Sequence, residues 1–333
     1  MEGSAVPSRQ TRFTSVSPET AVATPFSLKA TVLSHGWHEC APMSWCEGGQ
    51  CFQVIERLGD RPVRVSVTEG SKTRRTVRLR VLVEGDSLPD GAAEEMVGRV
   101  RVMLGLDSDL GEFYALCAEH PTLHVLPRIG AGRGLRSCDL AENIIKVQCF
   151  ANVAWPQAVK MITRLCQLGP AMPHFVNQHA WPSAAEILRA GKEYLTGVCR
   201  VGYRAEWILA FCDNVRRGRF DAADLDRAAL DGASTDDLVT RLRSIRGIGP
   251  TGANYLLSFL GRHERLAIDT STVAHVARTY TAGRRPTNRQ IEDIYAPYGR
   301  WKHLVWWFEH WLTWDTAKAL LREGGGNRAT DRH

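Results

Sequence analysis

Residues 234–261 read Ser234-Thr-Asp-Asp-Leu-Val-Thr-Arg-Leu-Arg-Ser-Ile-Arg-Gly-Ile-Gly-Pro-Thr-Gly-Ala-Asn-Tyr-Leu-Leu-Ser-Phe-Leu-Gly261. Leu238, Leu242 and Ile245 fall on one helical stripe, behind a Ser234/Asp237 pair that resembles a capping box with Asp in place of the usual Glu or Gln. Gly247-Ile248-Gly249 then makes a tight turn. Pro250 stands at the first position of a second helix, where its missing N–H costs nothing. Ala253, Leu256, Leu257 and Leu260 supply that helix's inward face. The spacing predicts two helices joined by a glycine turn.

Such a turn suits an anion. The glycines let the backbone come close to a phosphate, and the free N–H groups at the start of the second helix face it. Alone, the pattern is equally that of a plain αα-hairpin. The next segment of the chain decides between the two. Ala267-Ile268-Asp269-Thr270-Ser271-Thr272-Val273 puts a carboxylate after an apolar stretch and before another helix. Asp is a favoured N-cap, and a helix N-terminus favours negative charge, so a capping and a catalytic role are compatible there. With the hairpin before it, the catalytic role of Asp269 is preferred.

Outward from this segment, residues 138–320 read as helix, with helices expected over 138–150, 156–168, 183–190, 204–217, 236–245, 251–260, 270–280, 287–294 and 300–320. Before them the period is that of strands. Cys51–Leu58, Val63–Val67 and Val77–Val83 succeed one another across turns at Gly59-Asp60 and Glu69-Gly70-Ser71, and Phe26–Leu33 alternates loosely. The fold class expected is α+β. A disordered tail at 1–25 precedes an N-terminal antiparallel β/α domain at 26–120, a helical body at 121–321 and a loose tail at 322–333. A cleft between helical halves completes the architecture.

Bulk composition limits the function classes. The 333 residues carry a formal net charge of +6, which favours a polyanionic partner. No run approaches the length of a membrane span, and residues 1–25 have no apolar core like that of a secretory signal. Nine cysteines lie scattered in apolar contexts, as expected of reduced thiols in a cytoplasmic protein. Only Cys40, Cys46 and Cys51 cluster, and a metal there would need His35 or His38 as a further ligand.

Gly-Ile-Gly-Pro-Thr-Gly-Ala-Asn-Tyr followed by Ile-Asp-Thr resembles the helix–hairpin–helix (HhH-GPD) signature of base-excision DNA glycosylases. Arg164-Leu165-Cys166-Gln167 and Gly202-Tyr203-Arg204-Ala205 resemble segments of 8-oxoguanine DNA glycosylases. The N-terminal sheet resembles the domain those enzymes share with 3-methyladenine DNA glycosylase II. The resemblance spans roughly residues 26–320. It implies Asp269 as the catalytic residue, with DNA contacts from Gly247, Gly249, Thr251, Gly252, Tyr203 and Arg204, and with Asn152 filling the gap left by an extruded base. It implies a base pocket walled by Tyr255, His303 and Trp307. A monovalent cation, sodium or potassium, is implied at the backbone carbonyls of Arg243, Ile245 and Ile248.

Two departures from the family pattern carry consequences. Strand-nicking members have a lysine where this chain has Thr251, so no Schiff base is expected there. The four-cysteine signature of an iron–sulfur cluster is absent after Asp269. The expectation is a monomeric, monofunctional enzyme acting on duplex DNA with a damaged base, an alkylated purine in preference to 8-oxoguanine. It would work in the cytoplasm with the nucleoid if bacterial, and in the nucleus if eukaryotic. The alternatives are an 8-oxoguanine-type glycosylase and a non-catalytic hairpin module that only binds DNA.

Overall fold

The computed structural model describes residues 13–326. Residues 1–12 of the expected N-terminal tail and 327–333 of the C-terminal one lie outside the described residues. The fold is α+β, as the sequence indicates. Six strands, β1 (Phe13–Val16), β2 (Glu19–Ala23), β3 (Met43–Cys46), β4 (Cys51–Leu58), β5 (Arg61–Lys72) and β6 (Thr76–Asp86), form one antiparallel sheet. Its order is β1-β6-β5-β4-β3, with β2 also paired to β6. Val63, Val65 and Val67 on β5 and Val77, Leu79, Val81 and Val83 on β6 point to one face. Met96, Val100 and Met103 of the helix Ala92–Met103 close that face from above.

Several local expectations are corrected. Residues 13–23, expected within a disordered tail, pair with β6 as edge strands. They alternate too weakly for their pattern to reveal it, and the sheet supplies the partner. Phe26–Leu33 is not a strand: Ser27 caps a short helix, Leu28–Val32, by accepting the Ala30 N–H. The expected turn at Glu69–Ser71 lies within β5, where the register slips between Glu69 and Lys72, and the chain reverses only beyond Lys72. The helix expected over 300–320 breaks into Lys302–Trp311 and Asp315–Gly326. The Thr313 hydroxyl and the Trp314 N–H take the carbonyls of His310 and Trp311 and end the first piece. The second piece carries helix to residue 326, into the expected loose tail. Ala222–Leu230, capped by Asp221, was not foreseen because only Leu225 and Ala229 face inward.

The helices pack into two cores. One gathers Leu140, Ile144, Ile162, Leu165, Ile208, Leu242, Leu256 and Leu257. The other gathers Phe113, Leu126, Leu266, Val276, Tyr295, Trp306, Phe308 and Trp311. The helix Pro250–Phe259 belongs to the first core and the helix Thr270–Thr279 to the second. Residues 260–269 therefore carry the chain from one core to the other, and Asp269 stands at the end of that crossing.

Candidate active site

Asp269 occupies the N-cap of the helix Thr270–Thr279 in a reciprocal capping box with Thr272. Its Oδ1 accepts from the Thr272 N–H (2.9 Å), the Thr272 hydroxyl (3.0 Å) and the Ser271 hydroxyl (2.7 Å). Its Oδ2 accepts the phenolic O–H of Tyr255 at 2.9 Å. One oxygen is thus held by the Thr272 N–H and the Ser271 hydroxyl, with the single proton of the Thr272 hydroxyl shared between it and the Ala267 carbonyl (3.0 Å), while the other keeps acceptor capacity. Burial, and then the adjacent carboxylate, raise the Tyr255 phenol well above its ordinary range, so it stays a donor.

The carboxylate opens into a cleft of about 1630 Å³ whose walls include Tyr255, Ser271, His303, Trp307 and His310. Tyr255 and Trp307 meet nearly at right angles, with ring centres 6.5 Å apart. His303 is buried; its Nδ1 accepts the Ala267 N–H at 3.4 Å. Burial depresses its pKa to about 3 and that of His310 to about 4. Both imidazoles are neutral at neutral pH, so neither adds positive charge beside Asp269. His35 and Trp37, from the N-terminal part of the chain, also line the cleft, and Trp307 is anchored there by donating its indole N–H to the Ser34 carbonyl at 2.9 Å. Trp37, Ser271 and His310 were not named as site residues from sequence, and His35 was named only as a further ligand for a metal at the cysteine cluster. Only Ser271 had a local signal, its place in the first turn after the Asp269 cap.

The hairpin forms as its spacing indicates, from the helices Thr235–Arg243 and Pro250–Phe259. Gly247 has φ +88°, and an added Cβ would lie 2.4 Å from the Trp207 ring. Gly249 differs: it is exposed, extended, and a Cβ there would meet nothing within 4 Å. The first bond of the second helix runs from the Ala253 N–H to the Gly249 carbonyl, which leaves the earlier amides spare. Gly252 faces inward, with Val147 3.1 Å from the place of a Cβ, so only its amide is open to a partner.

The other expected DNA contacts fall on adjoining turns and not in the cleft. Asn152 is exposed at φ +52°, in a turn whose next residues, Val153 and Ala154, do line the cleft. Tyr203 is 54% exposed and packs edge-on against Trp207, 4.9 Å between centres. Arg204 corrects the expectation of a phosphate contact. Its side chain is buried, and its guanidinium donates to the carbonyls of Ala151 (3.1 Å) and Val201 (3.3 Å). It fixes the Asn152 turn from behind. Thr251, in the place of the lysine, donates its hydroxyl to the Ile268 carbonyl at 2.9 Å. Among the described residues no lysine lines the cleft, and no group of three His, Cys, Asp or Glu side chains is disposed to hold a metal ion.

No family model matches the chain, and no curated protein is similar to it in sequence. Solved structures are similar to it in fold. MBOgg1, in complex with a low-affinity DNA ligand, superposes with a TM-score of 0.67 at 20% identity, over 94% of this chain and 99% of that one. The chain has the fold of a DNA glycosylase. The glycosylase fold extends to the 3-methyladenine DNA-glycosylase of Archaeoglobus fulgidus, with a TM-score of 0.67 and 20% identity over 88% of this chain and 96% of that one. The 8-oxoguanine glycosylase/lyase of Clostridium acetobutylicum, bound to duplex DNA, gives 0.65 and 17% identity over 89% and 96%. Within this fold, no helix among the described residues is long and apolar enough to cross a membrane.

Proposed function

We propose that the chain is a monofunctional DNA glycosylase that hydrolyses the N-glycosidic bond of a damaged purine in duplex DNA and leaves an abasic site. The observation that carries this reading is the carboxylate of Asp269, braced on one oxygen and open on the other, at the wall of an aromatic cleft. The damaged nucleotide rotates out of the stack into that cleft. As the C1′–N bond breaks, the base departs with the bonding electron pair and positive charge develops on the sugar. Asp269 stabilises that charge, and water adds to C1′ with loss of a proton. The backbone amides of Gly249, Thr251 and Gly252 and the exposed Asn152 and Tyr203 face the DNA. The carbonyls of Arg243, Ile245 and Ile248 are suited to a sodium or potassium ion in one respect: Ile245 accepts only the Ile248 N–H among backbone donors, at 3.0 Å, which leaves it a lone pair. The protein acts as a monomer in the compartment that holds the DNA.

Alkylated purines fit these walls better than 8-oxoguanine. Alkylation at N3 or N7 makes the base cationic, which weakens its bond to the sugar. Among the groups such a base meets are Tyr255, Trp307, the neutral imidazoles of His303 and His310 and the Asp269 carboxylate, and its attraction to the aromatic rings is worth about 0.5–2 kcal/mol when desolvated. An 8-oxoguanine glycosylase is the second reading, favoured by the likeness to MBOgg1 and the clostridial enzyme. Excision of 7-methylguanine and of 8-oxoguanine opposite cytosine, read as alkali-labile breaks, separates them. Preference for the oxidised base moves the substrate assignment to the second reading. No breaks on any lesion duplex would leave a hairpin module that only binds DNA.

A further inference from the structure

The second hairpin helix touches the crossing segment 266–269 through three side chains. Thr251 donates its hydroxyl to the Ile268 carbonyl (2.9 Å), Asn254 its amide to the Leu266 carbonyl (2.8 Å), and Tyr255 its phenol to Asp269 Oδ2 (2.9 Å). Positions 251, 254 and 255 share one face of a helix. The opposite face is anchored: Ala253, Leu256 and Leu257 are buried in the first core, and Gly252 abuts Val147. The spare amides of the same helix point outward at its first turn. One rigid body therefore carries the anion-facing end and the grip on the carboxylate.

We propose that Thr251, Asn254 and Tyr255 form a positioning clamp that sets the place of Asp269 from the helix that meets the DNA backbone. The clamp rests on the glycosylase reading and adds to it a role for the residue that replaces the lysine. Thr251 is then more than an absent nucleophile, since its hydroxyl holds the carbonyl immediately before Asp269. A carboxylate displaced by a fraction of an ångström stabilises the sugar cation less well, while phosphate capture is untouched. Loss of the clamp thus lowers the rate of bond cleavage and not the affinity for duplex.

The test compares wild type, Thr251→Val, Thr251→Ser and Tyr255→Phe on a 7-methylguanine duplex and an 8-oxoguanine duplex. Single-turnover excision and duplex Kd are measured on whichever is cleaved, with thermal melting as a control on folding. Valine keeps the branched shape and removes only the donor. The expected result is a loss of excision rate of roughly 10- to 100-fold in Thr251→Val with Kd within twofold, and recovery in Thr251→Ser. Tyr255→Phe loses rate in the same way, and it carries the test if the valine variant does not fold. Wild-type rates in Thr251→Val and Tyr255→Phe would overturn the clamp. So would a serine variant as slow as the valine one, or a fall in Kd affinity that accounts for the lost rate. A wild-type protein that cleaves neither duplex overturns the clamp together with the glycosylase reading.

Discussion

Gly249→Val separates DNA binding from folding. The residue caps the second hairpin helix at φ −84° and ψ −176°, which a β-branched residue adopts without strain, and beyond its own residue and its chain neighbours no heavy atom lies within 4 Å of the added Cβ. Stability should change by no more than about 1 kcal/mol, the scale of an altered N-cap. The new methyl groups stand in front of the spare amides, where a phosphate must approach. Losing one amide–phosphate hydrogen bond to a charged acceptor, about 1.5–3 kcal/mol, weakens binding roughly 10- to 100-fold. Because amides are neutral and counterions are released by charged side chains, the line of log Kd against log salt should shift without much change in slope. Fluorescence anisotropy with undamaged and lesion-bearing duplexes between about 50 and 200 mM KCl reads both quantities, and a thermal melt gives the stability. Gly247→Ala makes the contrast: at φ +88° and 2.4 Å from Trp207 its methyl has no room, so melting temperature and affinity fall together. The reasoning is refuted if Gly249→Val binds undamaged duplex normally and loses only the lesion-bearing one, which would put Gly249 in the base pocket.

Borohydride should trap no covalent enzyme–DNA adduct during turnover, since Thr251 offers no amine and no described lysine lines the cleft. A trapped adduct on gels would point to a lysine brought in from elsewhere, such as the exposed Lys160. His303 should make stability fall on acidification. Its pKa is depressed to about 3 by burial, so between that value and about 6.5 the unfolded chain binds the extra proton, and stability is lost as the pH falls through this window. His35, also depressed to about 3, adds in the same sense, whereas buried Glu56, raised to about 7, opposes it above about pH 4.5. Urea melts at about pH 6 and 5 should show wild type losing about 1 kcal/mol more than His303→Gln; equal losses would mean that His303 is protonated in the folded protein.

What was legible in the sequence was local. The hairpin needs only a stripe of Leu238, Leu242 and Ile245, a glycine turn and a proline, and it folds on that pattern. Asp269 was visible because a cap is a one-turn signal. Arg204 was misread because a charged residue at a helix start gives no sign of facing inward, and the Ala151 carbonyl that draws it there is 53 residues away in sequence. His35, Trp37 and the indole of Trp307 meet across some 270 residues, which no periodicity can bring together. The edge strands before residue 24 were missed for the same reason, since β6 and not their own alternation defines them. Thr251 could be read as a missing lysine, but its bond to Ile268 depends on how the crossing segment folds back on the hairpin.

The central claim is that the charge on Asp269 drives base removal. Asp269→Asn keeps the size of the cap and an oxygen for the Thr272 N–H, and it replaces a negative oxygen with an amide. Single-turnover excision and duplex affinity, measured side by side for wild type and this variant on the lesion that wild type cleaves best, test it most directly. The account predicts affinity within a few-fold of wild type and an excision rate lower by at least about a hundredfold. Excision within a few-fold of the wild-type rate would contradict it.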